Sequence, residues 1–173
     1  MKSQISKILS QEHENILKII LFLEKECGRI NKENKIDIEL DDRIIEFIRN
    51  YADKFHHAKE ESILFEEMEK NSSELACNPI KQMLYEHDEG RKAVKGMEEA
   101  ILENNPSKFI SNSLIYIELL RNHIFKEDNI LYPMAEESLD KKTKEKIIKR
   151  FAEVQRKMQK EKTKYEKFAR GLK

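Results

Sequence analysis

Tryptophan is absent from this 173-residue chain, glycine occurs four times, proline three times, and aromatic residues make up only 8%. So few of the residues that punctuate turns and furnish strands excludes a β-rich fold and points to helices. Cysteine is nearly missing too: Cys27 and Cys77 are the only two, with no CxxC spacing. A disulfide framework or zinc knuckle is thereby excluded, and reduced structural thiols are expected. No charge sign is in excess, since Lys plus Arg and Asp plus Glu both number 33. A net charge of zero gives no global field to attract nucleic acid or an anionic membrane. The longest apolar run is Ile19 to Leu23, far short of the roughly 20 residues that span a bilayer. The start also lacks a secretory-signal pattern, so a cytoplasmic protein without nucleic-acid or membrane partners is expected.

What is abundant is charge, at 38% of residues, set around apolar positions that recur at helical spacing. A first helix is predicted from about Gln4 to Arg29, broken by Asn31 to Lys35, and a second from about Glu39 to Lys70, broken by Asn71-Ser72-Ser73. Asn78-Pro79 and Asn105-Pro106 each read as a cap followed by proline in the first turn, opening a third helix that ends near Asn104 and a fourth that reaches about Glu137. Pro133 should kink that fourth helix or end its regular part, because proline lacks the amide its ladder needs. Asp140 caps a fifth segment reaching Leu172, with Ile147, Ile148, Phe151, Val154 and Met158 as its apolar stripe. Such a stripe packs onto the bundle or forms a dimer seam. Short connections favour antiparallel neighbours. The expected fold is all-α: an up-down-up-down four-helix bundle over residues 1–138 with an additional C-terminal helix over 139–173.

Two stretches 67 positions apart are near copies, His56-His57-Ala58-Lys59-Glu60-Glu61-Ser62-Ile63-Leu64-Phe65 and His123-Ile124-Phe125-Lys126-Glu127-Asp128-Asn129-Ile130-Leu131-Tyr132. Each carries HxxxE, and each is preceded by a glutamate-histidine pair, Glu12-His13 and Glu86-His87. Residues four apart share a helix face, so His56 with Glu60 and His123 with Glu127 form two clamps. From the expected helix ends, His13, His56, His87 and His123 all lie roughly 12 to 22 Å from one end of the bundle. Imidazoles suit Fe, Zn or Cu and a carboxylate can bridge two ions, so the set fits a dinuclear centre, with iron favoured and coordination positions left open.

Gln11-Glu12-His13-Glu14, Phe55 through Glu61, Tyr85 through Arg91 and His123 through Pro133 resemble the motif blocks of the hemerythrin-like, HHE cation-binding family over about residues 8 to 137. The resemblance implies two non-heme iron ions in an oxo- or hydroxo-bridged centre, with His13, His56, Glu60, His87, His123 and Glu127 as ligands and both glutamates bridging. The chain departs from the oxygen carriers of that family, which have HxxxH on the third helix: Arg91 stands where the second histidine would be. Asp128 competes formally with Glu127 for the bridge, and the internal repeat favours Glu127. His57, about 100° around an α-helix from its neighbour, is an added ligand or a hydrogen-bond partner. Gly90 leaves room for an exogenous ligand or for close packing, Leu17, Val94, Leu120 and Ile63 would supply apolar walls, and Tyr116 would approach the irons.

The function expected from this set is binding of, or reaction with, O2, peroxide or NO, in sensing or detoxification, by a monomer or homodimer. The alternatives are iron storage or donation, including repair of iron-sulfur clusters, and a metal-stabilised interaction module. The absence of ExxH pairs and of HExxH disfavours ferritin-like carboxylate enzymes and excludes zincins.

Overall fold

The computed structural model describes residues 4–71 and 78–172, and among these every regular element is helical. Helix α1 spans Gln4–Glu33. Helix α2 covers residues 38–70 and changes character along its length, α-helical over Ile38–Phe47, π-helical over Ile48–His57 and Glu60–Phe65, and α-helical again over Glu66–Lys70. Helix α3 is Ile80–Leu102. Helix α4 covers residues 106–138, with a π-helical stretch at Glu127–Leu131 between Pro106–Lys126 and Tyr132–Ser138. Helices α5, Lys141–Lys157, and α6, Gln159–Gly171, complete the chain. Ser72, Ser73 and Cys77, which the sequence assigns to a break and a reduced thiol, lie outside the described residues.

The boundaries follow from side-chain chemistry. Asp37, Asn105 and Asp140 each accept a hydrogen bond from the amide three residues on, at 3.2, 3.0 and 2.7 Å, satisfying amides that have no partner inside the helix. Asn34 and Asn104 take positive φ, 49° and 48°, and end α1 and α3 in the left-handed conformation that asparagine tolerates. Asn78 accepts from the Ile80 amide at 3.1 Å, with Pro79 at the cap and not inside the first turn.

Two apolar clusters show the topology. One gathers Ile30, Ile44, Ile101 and Phe109, and the other Ile5, Met68, Ile80 and Leu139. Each of the four long helices therefore runs from one cluster to the other, alternately up and down, as the short connections predict. Between the clusters lies a polar layer: His13 falls between Leu9 and Ile16, His56 between Tyr51 and Ile63, His87 between Met83 and Ala93, and His123 between Leu120 and Leu131.

Regular α-helix gives way to π-helix over Glu127–Leu131 just ahead of Pro133, which falls in the first turn of the α-helical stretch that follows. Two expectations are corrected. The fifth segment is two helices, broken at Met158, whose φ of −104° and ψ of 19° leave the helical region. That break lets Ile147 and Phe151 of α5 join one cluster and Tyr165 and Ala169 of α6 the other, so these residues of the stripe pack within the chain. Leu17, expected beside the site, is 39% exposed.

Candidate metal centre

The polar layer brings together all six residues singled out in the sequence. His13, His56, Glu60 and Glu127 form one group of candidate ligands; His57, Glu60, His87 and His123 form a second. Within each group the ligating atoms all lie within 4.8 Å of one another, and every member is buried. The two carboxylates sit between the groups. Glu60 Oε2 is 3.6 Å from His56 Nε2 and 3.7 Å from His87 Nε2, while Glu127 reaches His13 Nε2 at 3.2 Å and His123 Nε2 at 3.1 Å.

The π-helical stretches explain this crowding. Bonding from i to i+5 widens the turn and brings residues five apart towards one face, which an α-helix does not do. His56, His57, Glu60 and Glu61 of α2 can thus all face the bundle, as can His123, Glu127 and Asp128 of α4. His57, placed away from the site by α-helical geometry, stacks on His87 with ring centroids 3.8 Å apart.

Each imidazole presents its Nδ1 to a carboxylate. Those of His56, His87 and His123 lie 2.8, 2.7 and 2.8 Å from Glu12, Glu61 and Glu86, and that of His13 lies 3.3 Å from Asp128. Such partners fix ring orientation and leave Nε2 for the centre. Glu12, Glu61, Glu86 and Asp128 belong to successive helices, so each helix supports the histidine of the next and α4 supports α1. Asp128 accordingly faces His13 and belongs to neither ligand group. Lysines anchor two of these carboxylates: Lys59 binds Glu12, and Lys126 binds Glu86. His57 Nδ1 faces Asp53 at 3.6 Å, too long for a hydrogen bond.

Tyr132, not Tyr116, is the phenol at the centre. Its hydroxyl donates to Glu60 at 2.5 Å and lies 3.3 Å from His13 Nε2. In the repeat it corresponds to Phe65, which stacks on His87 as Tyr132 stacks on His13, at 6.0 and 5.7 Å. That correspondence was the available signal for its position; the roles of Glu12, Glu61 and Glu86 had only their adjacency to the repeated residues. Arg91 ligates nothing and instead pairs with Asp53 at 2.7 Å and Glu61 at 2.6 Å.

Electrostatics single out the centre. Burial raises the Glu60 carboxyl far above the carboxylate range, and the charge of Glu127 adds to this. Burial also acts to raise Glu127, but the neighbouring charges of His123 and His13 outweigh it and hold this carboxyl very low. Burial acts to lower both of those imidazoles; the contact with Asp128 and the nearby Glu127 carboxylate lift His13 to about 9, and the charge of Glu127 with the contact to Glu86 lifts His123 to about 10. Burial pulls His56 and His57 down. Four atoms in the middle of this arrangement, His56 Nε2, Glu60 Oε2 and both Glu127 oxygens, are fully buried without a hydrogen-bond partner. Buried polar atoms are rarely left so, and cation ligation would satisfy all four. The residues fit a metal.

No curated protein and no solved structure is significantly similar to the chain. The family model described as the hemerythrin HHE cation-binding domain matches residues 4–135. With that match spanning most of the chain and the histidine and glutamate clusters lying inside it, the chain belongs to the hemerythrin HHE cation-binding family.

Proposed function

We propose that the chain holds a dinuclear non-heme iron centre that binds or reduces a small oxidant such as O2, peroxide or NO. The observation that carries this reading is the shared carboxylate: Glu60 belongs to both ligand groups, and Glu127 faces a histidine of each. Bound iron would supply one-electron redox chemistry and open coordination positions. The chain supplies the rest. Glu60 and Glu127 would be shared between the two ions, and His13 with His56 and His87 with His123 would complete the two halves, with His57 added to the second. The apolar clusters on either side exclude bulk water from this layer. Tyr132 keeps its proton, because burial and then the charges of Glu127 and Glu60 hold its phenol well above its ordinary value. Its O–H is therefore a hydrogen-bond donor at the centre.

Anaerobic loading followed by metal analysis and optical spectra, before and after O2, peroxide or NO is added, tests the reading. Roughly two irons per chain and a new ligand-to-metal absorption band are expected. Glu60→Ala and Glu127→Ala should each lower the iron content below that of the parent. Failure to retain iron would overturn the proposal, and unchanged content in both variants would overturn the bridging assignment.

A further inference from the structure

Beside the second ligand group, between α2 and α3, lies a cavity of about 270 Å³. His57 and His87 form its inner end, so whatever occupies it lies one imidazole from the centre. Its walls are Ile48, Val94, the bare backbone of Gly90 and Tyr116. Tyr116 is 2% exposed, and its phenol oxygen has no hydrogen-bond partner. Burial, with a smaller contribution from the charge of Asp53, holds this phenol above its ordinary value, so it keeps its proton as a donor. The cavity opens to solvent past Arg49, Asp53, Lys54 and Arg91, and its deeper part offers two buried polar atoms without a partner, the Tyr116 phenol oxygen and His57 Nδ1. A concave pocket with apolar walls and a few convergent polar groups is the usual form of a small-molecule site.

Size and charge narrow the occupant. An apolar cavity of about 150 Å³ takes benzene, so this one has room for a benzene-sized body with a short substituent, and exceeds what O2 or peroxide needs. Although Arg49, Lys54 and Arg91 line it, their charges are largely spent. Arg91 pairs with Asp53, Glu61 and Asp88, and Arg49 pairs with Glu98 at 2.5 Å. Lys54, at the exposed rim, hydrogen-bonds neutral Asn50 at 3.3 Å. The interior is not an anion trap.

We propose that this cavity binds a small uncharged organic molecule with a hydroxyl-type head, the head accepting the Tyr116 O–H and the body lying against Ile48, Val94 and Gly90. Occupancy does not depend on the iron reading; only its consequence for the oxidant chemistry does. The test is calorimetric titration of 2-phenyl-2-propanol into metal-loaded and metal-free chain, with benzoate as the charged comparison. Saturable one-to-one binding of the alcohol, tighter than that of benzoate, is expected in both forms. Tyr116→Phe, which keeps the ring, should weaken it roughly five- to tenfold. Val94→Phe should abolish it, with the far-UV spectrum of each variant establishing that it folds. No saturable binding to the parent, tighter binding of benzoate, or equal affinity in a folded Tyr116→Phe variant would overturn the proposal. A chain that holds no iron yet binds the alcohol would sink the proposed function and leave this inference standing.

Discussion

The lysines three residues after His56 and His123 occupy equivalent places in the repeat and differ in environment. Lys59 is fully buried, with its Nζ on Glu12 and 4.0 Å from the Phe55 ring centroid. Burial pulls its ammonium down and pushes the Glu12 carboxyl up, and each partner opposes the effect on the other. Lys126, by contrast, is 34% exposed where it meets Glu86, and that buried carboxylate keeps Gln82 and His123 as partners without it. Removing one member of a fully buried pair strands the other charge and typically costs about 3–5 kcal/mol, whereas a pair with an exposed member and other partners contributes nearer 0–1 kcal/mol. Lys59→Met is therefore expected to cost about 3 kcal/mol and Lys126→Met less than about 1 kcal/mol, read from urea denaturation of the two variants. Equal losses would mean that the burial difference does not govern these pairs.

At the scale of elements, the same distinction separates what could be read from the chain from what could not. Apolar recurrence at helical spacing, Asn105-Pro106 and Asp140 marked helices and their starts, because caps and propensities act within a few residues. The six residues at the centre were legible because histidine and glutamate recur in one order twice. The choice between the two readings of His57, and the place of Glu61, stayed hidden for a single reason: both lie on π-helical backbone, where the α-helical angle does not hold. No propensity within the repeat announces an i to i+5 ladder. The break at Met158 was hidden likewise, since it follows from docking α5 and α6 onto separate clusters. Helix α3 offers a test that needs no metal. A Cβ built at Gly90 would meet Leu120, Leu119 and Tyr116 at 3.6–3.7 Å, ordinary contact distances, and alanine is about 1 kcal/mol better than glycine within a helix. Gly90→Ala should thus raise stability by about 0.5–1 kcal/mol in a urea titration. Destabilisation would show that α3 and α4 are too closely packed for a methyl group.

For the whole molecule, the centre ties together four helices whose apolar packing is divided into two clusters by a polar layer. Any ion held only by the folded chain adds stability by mass action, about 4 kcal/mol when free metal exceeds its Kd a thousandfold. For a protein of this length that corresponds to roughly 8–16 °C. Scanning calorimetry of the loaded protein before and after exhaustive chelation should show a loss of this size, and an unchanged midpoint would mean that the bundle does not depend on the ion.

The carboxylate supports around the centre close in a circle, Glu12 to His56, Glu61 to His87, Glu86 to His123 and Asp128 to His13. Cut between α2 and α3, the circle leaves each hairpin with one support of its own and two broken ends. The broken ends are alike: a histidine on the first helix without its acid, and an acid on the second without its histidine. Two copies of either hairpin, facing each other head to tail, would join those ends and restore the same circuit. The repeat in the chain thus has the form of a symmetric pair of hairpins written into one polypeptide.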